Sequence, residues 1–290
     1  ETQRIQMQSI SVSLNRGQLL ERIHAAQGPR LVIVNTVQTC AVIADDLRRE
    51  GHEVFHLSTS LSPIHRDRIV DRVINRLNSG SNDWTLVATS CVEAGMDFSF
   101  RSAFRERSTM ASLLQVGGRV NRHGEDDLAD VWDFILDDPL CNFHPAFNTS
   151  RRVVLDLFQE GLIHREAASE LTSEALRREI RLDPDTKAEA IVQSENVLNF
   201  PEVEKLCKVI DSDTRLVVVE PECIHAIRSG GDITSREIQR NSVQIWENRL
   251  DMLPVEDLGG DGELYAWTGI YEEDFLGYYA EILPGLRGHA

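Results

Sequence analysis

The runs Leu31-Val-Ile-Val34 and Leu86-Val-Ala88 are apolar throughout, with no alternation. A strand buried on both faces carries that signature, because neither face meets water. Val54-Phe-His-Leu57 and Val131-Trp-Asp-Phe-Ile-Leu136 read as further strands, and another is expected near 102–106. Helical stretches lie between them. Residues 16–27 form a short amphipathic helix stopped by Gly28-Pro29, and residues 38–50 a second, stopped at Gly51. Ser62-Pro63 supplies an N-cap and a first-turn proline for a helix through about residue 78. Apolar strands alternating with helices predict an α/β fold: a mostly parallel sheet with helices on both faces. Residues 1–15 alternate weakly and are expected to add an edge strand.

From Thr149 to about 181 the pattern is helical and charged, with Val153, Leu157, Leu162, Ala167 and Leu171 as candidate apolar positions. Asp183-Pro184-Asp185 reads as a boundary. Beyond it, Arg215-Leu-Val-Val-Val219 and Ser242-Val-Gln-Ile-Trp246 read as strands and Gly230-Gly231 as a turn. The expected division is a lobe over 1–148, a helical linker over 149–185 and a smaller α+β accessory domain over 186–290. No internal repeat or low-complexity segment stands out.

Composition narrows the class. With 41% apolar and 27% charged residues, the 290-residue chain reads as soluble and globular. No apolar run reaches the roughly 18 residues of a membrane span. Five scattered cysteines contain no Cys-x-x-Cys pair, so neither a zinc site nor a disulfide framework is expected, and a reducing cytoplasm fits. The net charge of −17 argues against broad, non-specific nucleic-acid wrapping. A local basic groove is compatible with it, since Arg101, Arg105, Arg107, Arg119 and Arg122 cluster. Glu1-Thr-Gln-Arg-Ile has neither an initiator Met nor a signal-peptide pattern, so a fragment or processed chain is expected.

The chemistry centres on Leu113-Leu-Gln-Val-Gly-Gly-Arg-Val-Asn-Arg122. On a helix over 108–122, Gln115, Arg119 and Arg122 fall within about 40° of one line. Gly117 and Gly118 each cost such a helix roughly 1 kcal/mol against alanine, which suggests that something approaches closely. A planar, permanently charged guanidinium beside bare backbone suits a polyphosphate; a solvated helix face is the plain alternative. Three strands end in small polar groups: Asn35-Thr36, Ser58-Thr59-Ser60 and Thr89-Ser90. In a parallel sheet these share one edge, where ligands gather. Capping explains each alone, whereas together they suggest a surface that tracks phosphates. Glu93, Gly95 and Asp97 follow the third strand as a close-approach segment or a capped turn. Arg66, Arg68, Arg72 and Arg76 interleave with Asp67 and Asp71 as ordinary helix-surface pairs. His56 and His65 have no partner at metal-ligand spacing, and His123 reads as a solvated turn. Asp133, Asp137 and Asp138 suit caps and turns better than a metal. There is no Gly-x-x-x-x-Gly-Lys-Ser/Thr loop to cradle a nucleotide, so the arginines look like the completing half of a site begun elsewhere.

On these residues the chain resembles superfamily 2 helicases. Val32-Ile-Val-Asn-Thr36 is similar to the fourth motif of that family, Thr89-Ser-Cys-Val-Glu-Ala-Gly-Met-Asp97 to its fifth and Gln115-Val-Gly-Gly-Arg-Val-Asn-Arg122 to its sixth. Order and spacing are those of the second, C-terminal RecA-like lobe. The Val-Glu-Ala-Gly-x-Asp form and the Gly-Arg-Val-Asn-Arg ending look most like the helicase–nucleases of type I CRISPR systems. Ile210-Asp-Ser-Asp-Thr-Arg-Leu-Val-Val-Val219 and Arg240-Asn-Ser-Val243 weakly resemble the accessory domain of those proteins.

The resemblance implies a RecA-like fold and a set of roles. Arg119 and Arg122 would reach the γ-phosphate of ATP, held with Mg2+ mainly by a first lobe, and Gln115 would sense that phosphate. Gly95, Asp97 and Gly118 would lie on the nucleotide side and link it to nucleic-acid contacts. Asn35, Thr36, Ser58, Thr59, Thr89, Ser90 and Glu93 would hold the backbone of single-stranded DNA. No metal ligand is assigned in this chain. Partners would be a first helicase lobe, a histidine–aspartate nuclease domain and the guide-RNA surveillance complex, with no membrane. The sequence contains no His-Asp dipeptide. Alone, it is expected neither to hydrolyse ATP efficiently nor to cut DNA, as a fragment or one part of a split enzyme. The alternatives are another superfamily 2 DNA or RNA translocase, or a non-catalytic regulatory module that kept the lobe.

Overall fold

The computed structural model describes residues 4–92, 97–124, 128–142, 144–182, 186–206, 214–260 and 262–288. The first part of the chain runs β1 (Ile5–Ser9), α1 (Arg16–Ala25), β2 (Arg30–Ile33), α2 (Val37–Arg49), β3 (Val54–Leu57), α3 (Pro63–Asn78) and β4 (Thr85–Ala88). It continues through β5 (Ser102–Glu106), α4 (Met110–Gly117), β6 (Ala129–Phe134), α5 (Asn148–Gln159) and α6 (Ala168–Leu182). The six strands form one sheet in the order β1-β6-β5-β2-β4-β3, every pair parallel. The apolar runs take the central places: β2 lies between β5 and β4 and is buried at all four positions.

Alternation along each strand divides the core. Val32, Val34 and Val87 face α1 and α2, which contribute Leu19, Ile23, Ala41 and Leu47. Leu31, Ile33, Leu86 and Ala88 face the opposite layer, with Ile69 and Val73 of α3 and Leu113 and Val116 of α4. The sheet therefore carries helices on both faces, a RecA-like α/β lobe. The helices α5 and α6 extend the second layer through Val153, Leu157 and Leu171.

The chain then forms α7 (Thr186–Asn196), α8 (Phe200–Leu206), β7 (Thr214–Val218), α9 (Pro221–Arg228), α10 (Ser235–Arg240) and β8 (Ser242–Trp246). It ends with α11 (Glu247–Leu250), β9 (Val255–Asp257), β10 (Leu264–Trp267) and α12 (Tyr279–Gly288). A second, mixed sheet has the order β8-β7-β10-β9, with β7 and β10 parallel and the outer pairs antiparallel. Its apolar side joins the first layer of the lobe: Val217, Val243 and Trp267, with Tyr279 of α12, share a cluster with Cys40, Ala44 and Leu47. The expected boundary at 183–185 and residues 210–213 of the stretch that resembles the accessory domain lie outside the described residues.

The docking is close. Gly277 has φ +59°, and a Cβ there would come within 2.1 Å of the Ser60 carbonyl oxygen. Only glycine combines that backbone conformation with so near an approach. His56 is fully buried and bonds through Nδ1 to the Phe275 carbonyl. Arg48 lies over the Phe275 ring, 4.1 Å from its centroid, and reaches Glu272 at 2.6 Å. Arg287 of α12 pairs with Asp45 at 3.0 Å and also with Asp46.

Candidate functional site

The expected helix over 108–122 is shorter. It ends at Gly117, with Gly118 as its cap. Arg119 N–H then bonds back to Val116 at 2.9 Å, and Val120 forms a parallel bridge with Phe100. Phe100 donates to the Arg119 carbonyl at 2.8 Å, and Asn121 donates to Phe100 at 2.9 Å. Asn121 has φ +44°, a region that Asn tolerates better than most residues. Gln115 therefore stays on the helix, while Arg119 and Arg122 ride on a turning tail that follows it; the single helical row does not form. The glycines also separate. A Cβ on Gly117 would come within 2.7 Å of Met7 Cε and 2.8 Å of Ile5 Cδ1, so β1 is what approaches it. Gly118 is exposed.

This tail lies at the amino-terminal edge of the sheet. Phe100 immediately precedes β5, Arg101 donates to Pro29 ahead of β2, and the Arg122 carbonyl accepts from Arg4 ahead of β1. Arg122 Nη1 is 3.1 Å from Asp97 Oδ1, with both side chains exposed. Beside them opens a cleft of about 930 Å3, lined in part by Asp97, Ser99, Arg101, His123 and Arg30. Arg30 is buried and bonded to Asp83 at 3.0 Å, and that bond holds the Asp83 carboxyl below the usual range.

The small polar residues lie at the other, carboxyl-terminal edge. Four strand residues at about 3.3 Å each separate the two edges by roughly 13 Å. Ile33, Leu57 and Ala88 are level across β2, β3 and β4, so the groups following them do share this edge. Their hydroxyls are unequally available. Thr59 and Ser90 are exposed. Thr36 caps α2, accepting from Thr39 N at 3.1 Å. Ser58 is buried against Ser60 at 2.9 Å, and Thr89 is buried with its hydroxyl 3.5 Å from Cys91 Sγ. Asn35 is spent internally: its N–H donates to Glu106 at 2.8 Å, its amide to the Arg107 carbonyl at 3.0 Å, and its Oδ1 accepts from Arg105 at 2.7 Å. Glu106 is a buried acid that sequence reading missed, and burial raises its pKa. Glu93 and Gly95 lie outside the described residues.

Three further expectations change. The cluster at 101–107 is not a surface groove, because Arg105 and Arg107 are buried. Arg105 bonds Ser112 at 2.7 Å, and Arg107 forms an ion pair with Asp133 at 2.6 Å. Arg68, Arg72 and Arg76 of α3 reach partners beyond their own helix. Arg68 reaches Glu273 at 3.2 Å, Arg72 reaches Asp274 at 3.6 Å and Arg76 reaches Glu53, while Asp67 is taken by Arg240. Finally, Ser62 precedes α3 without a side-chain cap; its hydroxyl bonds His65 Nδ1 at 2.8 Å. His65 also faces Glu220 and Glu273. These acids come from far along the chain, so no spacing rule could have found them.

Residues 26–125, which contain both edges, match the family model for the C-terminal part of the CRISPR-associated nuclease/helicase Cas3. The lobe is Cas3-like. A Cas3 from Haloferax volcanii is 33% identical over 69 residues, 24% of this chain and 7% of that protein. The ADP-bound Cas3 of T. fusca superposes with a TM-score of 0.65 at 14% identity, covering 92% of this chain and 40% of that one. A chain from a CRISPR RNA-guided surveillance complex in its pre-nicking state superposes with a TM-score of 0.61 at 13% identity, covering 92% of this chain and 41% of that one. The chain thus spans well under half the length of these relatives. At these identities the superpositions show the shared fold, in which the second sheet follows the Cas3-like lobe. Among the described residues, no helix is long and apolar enough to cross a membrane.

Proposed function

We propose that this chain is the C-terminal part of an ATP-driven, single-stranded DNA translocase of CRISPR interference. The observation that carries the reading is that Thr89 and Asp97, eight residues apart in the chain, stand at opposite edges of the sheet. Thr89 closes β4 at the carboxyl edge, and Asp97 stands at the amino edge, paired with Arg122. One short segment therefore joins the edge bearing Thr36, Thr59 and Ser90 to the edge bearing Gly118, Arg119 and Arg122. Through that segment, movement at one edge would reach the other.

ATP fits this chain only in part. The exposed Arg122 and the adjacent Arg119 suit the outer oxygens of a polyphosphate. No glycine-rich phosphate loop is present in the sequence. The nucleotide and its Mg2+ would therefore be held by a first lobe, with Arg119 and Arg122 closing over the terminal phosphate and Gln115 nearby. The pair with Asp97 holds Arg122 in place at little cost to release, since exposed ion pairs contribute about 0–1 kcal/mol. Hydrolysis would let the lobes part. Single-stranded DNA would lie across the carboxyl edge, contacted directly by Thr59, Ser90 and Thr36. The buried Ser58 and Thr89 and the internally bonded Asn35 shape the loops. The guide-RNA surveillance complex would present that strand, and a nuclease domain would cut it.

The test joins this chain to a first lobe that bears a phosphate loop. DNA-stimulated ATP hydrolysis is expected, and Arg119→Ala should cut turnover by at least tenfold with the fold intact. Full turnover in that variant would remove the arginine-finger role. No stimulated hydrolysis in any such pairing would favour a regulatory module instead.

A further inference from the structure

His65 stands in the first turn of α3 and is 1% exposed. Its Nδ1 is held by two hydroxyls, Ser62 Oγ at 2.8 Å and Tyr271 Oη at 3.0 Å. Tyr271 is itself fixed, accepting from Ser62 N–H at 3.0 Å. The ring cannot swing. Its other nitrogen, Nε2, is buried and makes no hydrogen bond. A buried nitrogen without a partner is costly, typically about 1–3 kcal/mol. Nε2 points between two carboxylates, 3.5 Å from Glu273 Oε2 and 3.7 Å from Glu220 Oε2. Both distances are too long for hydrogen bonds. All three atoms lie within 4.8 Å of one another.

We propose that His65, Glu220 and Glu273 form a binding site for a divalent transition-metal cation of the zinc type, at the seam between the lobe and the second sheet. When Nδ1–H donates to the hydroxyls, Nε2 presents its lone pair to two anionic acceptors, and a cation between them satisfies all three. The two imidazole–carboxylate distances are close to what this chemistry needs. A tetrahedral ion with ligands at about 2.0–2.2 Å holds them roughly 3.3–3.6 Å apart. An imidazole among the ligands selects zinc-type ions over Mg2+ and Ca2+, which prefer oxygen alone. The hydroxyls on Nδ1 take the place of the outer hydrogen-bond partner that orients a ligating histidine. Entry is open, because a cleft of about 520 Å3 adjoins the site and carries Glu222, Asp232 and Glu237 beside the two ligands. The cation in that cleft is Arg68, 3.2 Å from Glu273, which a metal would displace towards solvent. One ligand belongs to α3, while the others precede α9 and follow β10, so the ion would pin the two sheets together.

The test uses the full chain, stripped with a chelator and equilibrated with Zn2+ alone. One zinc per chain is expected, with a rise in Tm and, for Co2+ in its place, the visible bands of a tetrahedral ion. The variant Glu220→Gln with Glu273→Gln changes two partly exposed side chains and should fold, yet lose the metal and the Tm rise. Cys223→Ser should keep both. Zinc retained by the Gln variant, zinc lost with Cys223→Ser, or an equal Tm rise with Mg2+ would overturn the proposal. Absence of bound zinc in the unchanged chain would do the same.

Discussion

Arg122 Nη1 lies 3.1 Å from Asp97 Oδ1, which ties the tail beyond α4 to the far end of the segment that leaves β4. The two stretches meet in space through a bridge between Phe100 and Val120. Asp97→Asn should change stability by less than about 1 kcal/mol, because the pair is exposed. Its effect should fall on coupling. With a first lobe supplied, basal ATP hydrolysis should persist while stimulation by single-stranded DNA falls. Steady-state hydrolysis with and without DNA measures this, and unchanged stimulation would count against Asp97 as a link.

The neighbouring glycines should respond differently. Gly117→Ala drives a methyl group to within 2.7 Å of Met7 and 2.8 Å of Ile5. Overpacking of this kind costs about 1–3 kcal/mol, softened here because both contacts are ends of flexible side chains. Gly118→Ala has helix-like backbone angles and meets the Gln115 carbonyl at 3.3 Å. It should leave stability within about 1 kcal/mol of the parent. Denaturant melts of the two variants separate the effects. If Gly118 admits a phosphate, its variant loses hydrolysis without losing stability.

Acid should loosen the seam between the two sheets. Burial lowers the His56 pKa from 6.5 to about 4, while its bond to the Phe275 carbonyl opposes the shift and Arg48 adds to it. The unfolded chain therefore binds this proton between about pH 6.5 and 4, and the folded one does not. Stability falls as pH drops through that window, by about 2 kcal/mol between pH 7 and 5. His56→Gln removes this component, so its melting curves at the two pH values should lie closer together than the parent's.

Asp133 neutralises Arg107 in a site where both side chains are about 1–2% exposed. Asp133→Leu leaves a buried guanidinium unpaired and should cost about 3–5 kcal/mol. Adding Arg107→Met should recover most of that loss, since two apolar groups need no ion pair. A double-mutant cycle by denaturant melting gives the coupling directly, and additive losses would show that the pair is not a unit.

Gly277→Ala should weaken docking of the second sheet. A non-glycine residue at positive φ costs of order 1–3 kcal/mol, and the methyl group would also meet the Ser60 carbonyl at 2.1 Å. Limited proteolysis should show faster cleavage around residues 270–278 than in the parent, while the lobe stays protected.

The lobe was legible because its strands are short apolar runs and its helices begin and end on ordinary stop signals. Both signals are local. What failed was local reading of non-local facts. A 100° rotation per residue carried the helix past Gly117, where pairing with Phe100 in fact captures the chain. The run containing Arg105 and Arg107 reads as a basic surface, yet β5 is covered on both faces, and the two arginines bond Ser112 and Asp133 inside. Val255-Glu-Asp257 is short and polar, and α12 contains Pro284, so neither announces an element. In the candidate site, the strand-end groups were correctly placed on one edge. Their hydroxyls were not separable into exposed and buried ones without the seam against Gly277, and the partners of His65 were invisible for the same reason.

The apolar cluster that takes Cys40 and Leu47 from the lobe and Val217 and Trp267 from the second sheet is continuous. The two sheets therefore share one core. In the proposed motor, a second sheet held by this shared core would travel with the lobe and carry its displacement out to the far end of β9.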